Sequence, residues 1–248
     1  MIRIIEDGDV SASVSSIGAT VGSFSIHGKN IIYSKMTVGQ KSRGGIPICF
    51  PFFGTPPEDF NAIPKHGWLR NQDFDLVEHS GDCIVFRGAN EKMPGFPWLL
   101  EYRVTIRVRF YGSLILGLVA KRLKDGEFLH APINPGFHPY FCADRSDEYM
   151  TRGIARVGSR VITDFCGKSS RIIADEPILV RSGEHKLKMI LGGDFGPKSY
   201  LTLWSDNPDE YFCVEPTLTD PDVFTDSEYG RFLKEGEQLE MECCLTVV

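Results

Sequence analysis

Across residues 100–110 the chain alternates without a break. Leu100, Tyr102, Val104, Ile106, Val108 and Phe110 are apolar, and Glu101, Arg103, Thr105, Arg107 and Arg109 between them are polar. A period of two puts the two sets on opposite faces of an extended strand, one packed and one in water. Residues 11–17, 21–26, 114–120, 186–191, 200–204, 211–215 and 239–247 also read as strands. Between them lie turn-forming clusters such as His27-Gly28-Lys29-Asn30 and Asp206-Asn207-Pro208-Asp209. No amphipathic helix longer than a few turns interrupts the series. Strands joined by turns rather than helices predict an all-β fold, a sandwich or barrel, not a βαβ sheet.

The chain has 248 residues, enough for a sizeable core, and an all-β fold of this length is often a single unit. No repeat, low-complexity tract or linker divides it, so one domain over 1–248 is expected. Residues 52–63 are the longest stretch without a period. Their Pro56-Pro57-Glu58-Asp59 centre reads as a surface loop, either part of a binding rim or a plain connection.

Charge and cysteines narrow the function classes. The net charge is -6 and no basic block occurs, which argues against nucleic acid as a partner. An anionic small molecule stays open, because two or three local arginines suffice to hold one phosphate. Seven cysteines, an odd number, are scattered without a CxxC pair, against a disulfide framework or a structural zinc site. The first residues lack the apolar run of a signal peptide, and no stretch has the length of a membrane span. The expected setting is a reducing cytoplasm, with no membrane partner. Neither a P-loop nor GxGxxG, HExxH or GxSxG is found, so nothing calls for a nucleotide cofactor or a catalytic metal.

Four stretches could carry chemistry. Asn134-Pro135-Gly136-Phe137-His138-Pro139-Tyr140-Phe141 sets one histidine between two prolines and three aromatics. Each proline fixes its own φ and pushes the preceding residue towards extended backbone. His138 is thus held on a stiff segment, either as a general acid near neutral pH or as a hydrogen-bonded core histidine. In Arg43-Gly44-Gly45-Ile46-Pro47, continued by Phe50-Pro51-Phe52-Phe53-Gly54, paired glycines permit a sharp bend or a close backbone approach beside a guanidinium. The plainer reading is a turn with a surface arginine. Lys65-His66-Gly67-Trp68-Leu69-Arg70 places two cations and an imidazole where a bend at Gly67 would let them converge, or else it is a solvated turn. Tyr211-Phe212-Cys213-Val214-Glu215-Pro216 is an apolar strand ending in a carboxylate. Buried, that carboxyl would have its pKa raised towards a general base's range; pointing outward, it would be an ordinary strand end.

Taken in this order, the four stretches resemble the aldose 1-epimerase superfamily over about the whole chain, and most of all its hexose-6-phosphate mutarotase branch. The resemblance implies a large β-sandwich with an open groove for a pyranose. It implies Glu215 as general base at the anomeric hydroxyl and His138 as general acid at the ring oxygen, with no metal or redox cofactor. Arg43 and Arg70 match the positions that hold substrate, and in this branch its phosphate; His66 matches a histidine near the sugar hydroxyls. Lys65 stands where the branch often has a polar residue such as glutamine. The family's substrate-binding aspartate falls at Asp175, with Asp164 as a rival. The implied function is interconversion of the α and β anomers of a hexose 6-phosphate. Two alternatives share the fold: a mutarotase for a free aldose, and a carbohydrate-binding module without turnover. The oligomeric state is not legible in the sequence.

Overall fold

The protein is described from a computed structural model covering residues 1–34, 36–38, 41–93, 95–124, 130–143, 153–165, 169–197, 199–220 and 231–248. Every strand expected from the sequence is present, five of the eight longer by one to three residues. The first alternating segment forms Leu100–Arg109, with Leu100, Tyr102, Val104, Ile106 and Val108 buried. It pairs antiparallel with Ser113–Arg122, which pairs in turn with Gln238–Val247. Among the described residues the helical turns are short 3-10 pieces, Glu58–Phe60 and Leu69–Asn71. Among the described residues no helix is long and apolar enough to cross a membrane.

The strands form two large antiparallel sheets. A nine-stranded sheet has the three long strands at its centre, with His185–Gly193 beside Gln238–Val247 and Cys83–Ala89 beside Leu100–Arg109. A ten-stranded sheet runs from the first three strands, Ile2–Asp7, Val10–Ser15 and Thr20–Ile26, to the shorter ones that carry the chemically suggestive motifs. Inward side chains of both sheets, such as Val14 and Phe24 from one and Ile106 and Leu116 from the other, belong to one buried cluster. Burying an alternating face is what drives the two sheets together, at roughly 25 cal/mol per Å² of apolar surface removed from water.

The nine-stranded sheet is regular, and the ten-stranded one is not. Its site-bearing strands are short: Ile48–Cys49, Gly136–Phe137 and Tyr140–Cys142. Prolines at 47, 51, 135 and 139 lack the N–H a ladder needs, so these strands cannot run long. Tyr211–Thr217 joins two of them, pairing with Gly136 and with Tyr140–Cys142 on one side and with Tyr200–Trp204 on the other. It is buried at every position. The strand does not stop at Glu215 but continues through Pro216 to Thr217, so Glu215 lies inside a sheet rather than at its edge.

Candidate active site

Backbone hydrogen bonds stitch together three stretches far apart in sequence. After Arg43 the chain turns through Gly44 and Gly45, with φ of 92° and 76°. A Cβ at Gly44 would sit 2.6 Å from the Ser34 carbonyl, and one at Gly45 2.5 Å from that of Val21. Only glycine permits both the left-handed φ and that approach. The chain then runs beside the histidine segment. Cys49 pairs with Gly136 and Ile48 with Phe137, while the N–H groups of His138 and Tyr140 donate to the carbonyls of Pro47 (3.0 Å) and Gly45 (3.1 Å). Pro139 lies between the two donors, so its missing N–H costs this pairing nothing.

The segment from Lys65 to Arg70 folds as a tight turn against the same strip. His66 and Gly67 both have positive φ, 66° and 72°. The His66 N–H donates to Gly54 O (2.7 Å) and the Trp68 N–H to Phe50 O (3.1 Å). The bend throws Lys65, His66 and Arg70 to one side, and Trp68 packs against the core. Opposite, Tyr140 pairs with Cys213, and Thr202 with Glu215. Tyr211, Cys213 and Glu215 therefore share one face of their strand, and His138 and Tyr140 one face of theirs.

Those faces enclose a cavity of about 510 Å³. Arg43, Lys65, His66, Arg70, His138 and Glu215 all line it. His138 Nε2 lies 3.4 Å from Glu215 Oε1, with the two side chains only 6% and 3% exposed. The His138 ring stacks on Tyr140 at 4.6 Å between centroids and 8° between planes. Phe53, His66 and Trp204 surround it at 6.0, 5.3 and 6.2 Å. The loop at 52–63, expected as either a rim or a plain connection, contributes Phe53, Gly54 and Thr55 to the wall.

Burial pushes the two titratable groups in opposite directions. It holds His138 well below the ordinary imidazole value, aided by His66 and Arg70, and lifts Glu215 well above the carboxylate range, opposed by a hydrogen bond from Cys213 and by Lys65. Both shifts favour the neutral forms. A protonated glutamate beside a neutral histidine and a carboxylate beside an imidazolium contain the same single proton, so the pair titrates as a unit. Such a pair can pass one proton between two oxygens of a bound ligand. His66 is fixed differently. Its Nδ1 accepts from the Gly54 N–H at 3.2 Å, which leaves Nε2 as the protonated nitrogen. Burial, then Arg70 and Lys65, lower its pKa to about 3, so it remains a neutral donor across the physiological range.

Arg43 is engaged before any ligand arrives. Its Nε and Nη2 donate to Asp206 at 3.1–3.2 Å and 2.5 Å, and its Cζ lies 5.3 Å from the centre of the Trp204 ring. The Tyr211 hydroxyl donates to the same carboxylate. Burial alone would raise Asp206, but the hydrogen bonds from Arg43 and Tyr211 outweigh it, and the pKa is lowered. The sequence reading missed this aspartate, which sits in a turn cluster whose only visible signal was punctuation. It also missed Arg171 and Thr202. Thr202 could have been found from the alternation of residues 200–204, because it shares a face with Trp204. Arg171 lies on Ser170–Ile173, a strand too short to show a period, and its guanidinium is 3.4 Å from Asp220.

Asp175 is not brought to this cavity. It follows the end of Ser170–Ile173, donating its N–H back to Ile173 O at 2.9 Å, and lines a separate cavity of about 260 Å³ with Glu176, Leu191 and Phe195. The strand passes the main cavity at Arg171 and has left it two residues before Asp175. Asp164 does not line the main cavity either.

The profile of the aldose 1-epimerase family matches residues 1–157 of this chain. A Salmonella typhimurium protein provisionally named glucose-6-phosphate 1-epimerase is 23% identical over 92% of this chain and 87% of its own length. A galactose mutarotase related enzyme from Lactobacillus acidophilus superposes with a TM-score of 0.79 at 17% identity, covering 100% of this chain and 97% of that one. A galactose mutarotase-like protein from Lactobacillus casei does so with a TM-score of 0.71 at 19% identity, covering both chains fully. At these identities the structural likeness speaks for the fold.

Proposed function

We propose that this chain, which belongs to the aldose 1-epimerase family and is thereby an epimerase, interconverts the α and β anomers of a hexose 6-phosphate through His138 and Glu215. The observation that carries the reading is the buried His138–Glu215 pair, 3.4 Å apart, in a cavity lined by Arg43, Lys65, Arg70 and Arg171. In the closed sugar the productive form is the Glu215 carboxylate with the His138 imidazolium. Glu215 takes the proton of the anomeric hydroxyl as the C1–O5 bond breaks and C1 becomes a carbonyl. His138 gives its proton to O5. Both side chains are now neutral, the state that burial favours, while the sugar is open. After rotation about C1–C2, O5 attacks the other carbonyl face, His138 takes back the O5 proton, and Glu215 returns its proton to the anomeric oxygen. No net proton is gained or lost, and general acid and base assistance of this kind contributes typically 10²–10⁴ in rate.

The charge around the cavity supports an anionic substrate. Asp206 offsets Arg43 and Asp220 offsets Arg171. Lys65 and Arg70 have no ion-pair partner among the described residues, which leaves a local positive excess against the lone Glu215 in the lining. One phosphate beside Arg70 and Lys65, with the outer N–H groups of Arg43 in reach, would balance it. His66, as a neutral Nε2–H donor, suits a sugar hydroxyl. The pairing of Arg43 with Asp206 favours a second reading, in which that arginine shapes the wall and the substrate is an unphosphorylated aldose.

Magnetisation-exchange NMR on the anomers of glucose 6-phosphate and of glucose, with and without protein, separates the two. Acceleration of the phosphate, weakened by Arg70→Ala far more than any effect of that change on glucose, is the expected result. Equal acceleration of both sugars would move the assignment to a free-aldose mutarotase, and acceleration of neither would remove both substrates.

A further inference from the structure

The strand that carries Glu215 also presents Cys213, two residues earlier on the same face. One nitrogen of His138, the Cys213 sulfur and a Glu215 carboxylate oxygen all lie within 4.8 Å of one another, and all three residues are buried. Cys213 is fully buried and bears on the acid and base steps above only through its hydrogen bond to Glu215. We propose that His138, Cys213 and Glu215 form a capture site for a thiophilic divalent cation such as Zn²⁺, and that its occupation blocks the cavity against sugar.

The geometry fits a tetrahedral ion. Nitrogen and oxygen ligands at about 2.0–2.1 Å from zinc, at the tetrahedral angle, stand about 3.3–3.4 Å apart. His138 Nε2 and Glu215 Oε1 are 3.4 Å apart already. A thiolate at about 2.3 Å from the same ion would be about 3.6 Å from each of the others. The sulfur therefore has to close by no more than about 1.2 Å, within reach of a small side-chain rotation. The cavity supplies the fourth position, open to water as in zinc sites that keep an exchangeable ligand.

Charge balance also fits. Binding displaces the Cys213 thiol proton and any proton on Glu215, and it requires the Nδ1–H tautomer of His138, whose Nε2 lone pair then faces the ion. The products are the metal held by one thiolate, one carboxylate and one neutral imidazole, plus the released protons. Two anionic ligands cancel the dication, so the occupied site is neutral. Without the ion, an ionised Glu215 is balanced at close range by a protonated His138. The arginines and Lys65 around the cavity oppose the ion, so the site should hold it less tightly than a dedicated structural zinc centre. The thiolate gives the selectivity, since Mg²⁺ and Ca²⁺ prefer all-oxygen shells.

A direct binding test does not depend on the enzymatic assignment. Co²⁺ is titrated into the full-length protein and the thiolate-to-metal absorption band is followed, then displaced with Zn²⁺. The wild type should develop the band. Cys213→Ser, and Cys213→Ala if the serine variant unfolds, should lose it. Cys49→Ser, which removes the thiol 3.6 Å from His66 Nδ1, should keep it. In anomer-exchange assays Zn²⁺ should inhibit competitively with sugar, Mg²⁺ should not, and EDTA should restore the rate. Relative to each protein's own metal-free rate, Cys213→Ser should raise the half-inhibiting Zn²⁺ concentration more than about tenfold, since even outer-shell changes cost 10–100-fold in metal affinity. A band that persists without Cys213, one that disappears with Cys49, or no band in the wild type would overturn the proposal, whether or not the protein turns over sugar.

Discussion

Replacing Glu215 by Gln separates the chemical role of this carboxyl from its structural one, because the two effects have opposite signs. The side chain is 3% exposed and beside His138, and Gln keeps its shape while removing its proton chemistry. If Glu215 is the base, anomer exchange falls by 10²–10⁴, about 2.7–5.4 kcal/mol of transition-state stabilisation. Stability should move the other way. Burial raises the folded pKa of Glu215 well above the ordinary 4.5. Above that ordinary value the folded protein keeps a proton that the unfolded chain has lost, so its stability falls as pH rises until the folded pKa is passed. The slope is about 1.4 kcal/mol per pH unit. The Gln variant carries no such proton and escapes the loss. His138 is held below 6.5 by burial, His66 and Arg70, none of which the change removes, so above pH 6.5 it is neutral in both proteins and the gap between them there reports Glu215; below that the two groups titrate as a pair. Thermal melts from pH 4 to 9 should therefore show Glu215→Gln gaining on the wild type by roughly 3–6 °C per pH unit inside the window, at about 2–4 °C per kcal/mol for a chain of this size. Below pH 4.5 the gap should stop changing. A pH-independent gap would refute the buried, proton-holding carboxyl, and exchange within threefold of wild type would remove Glu215 from the chemistry.

Two further changes probe how the site is held. Asp206→Asn frees a guanidinium that is now fixed by two donors on one carboxylate; with both groups partly exposed the pair contributes only about 1 kcal/mol, so KM in steady-state assays should rise roughly fivefold with kcat little changed, whereas a fall in KM would mean that Asp206 competes with the substrate for Arg43. Gly67→Ala would place a Cβ 1.8 Å from the Phe50 carbonyl at a φ of 72°, and urea unfolding should show a loss of at least about 3 kcal/mol; a loss under 1 kcal/mol would show that the His66–Gly67 turn is not the rigid element placing Lys65, His66 and Arg70.

The fold was legible in the sequence wherever one face of a strand meets water, because the two-residue period is written locally. Residues 100–109 and 239–247 state both their strand and their buried face without reference to anything else; the alternation overreaches at Phe110, which lies past the strand and is 71% exposed. The candidate acid and base were legible for a related reason: His138 and Glu215 stand next to prolines that mark out their segments, and the ordered motifs around them point to a family. The period was faintest in the ten-stranded sheet, where prolines shorten the strands and Tyr211–Thr217 is buried on both faces. What only the tertiary structure decided is which distant side chains meet. Asp206 takes up Arg43 across 163 positions, Cys213 comes to lie beside His138 and Glu215, and Arg171 joins the lining from a four-residue strand. Asp175, close in sequence to that strand, faces another cavity. Each of these outcomes depends on register and on where a strand ends. A single residue's shift there moves a side chain to the other face, and no local pattern of hydrophobic and polar positions records it.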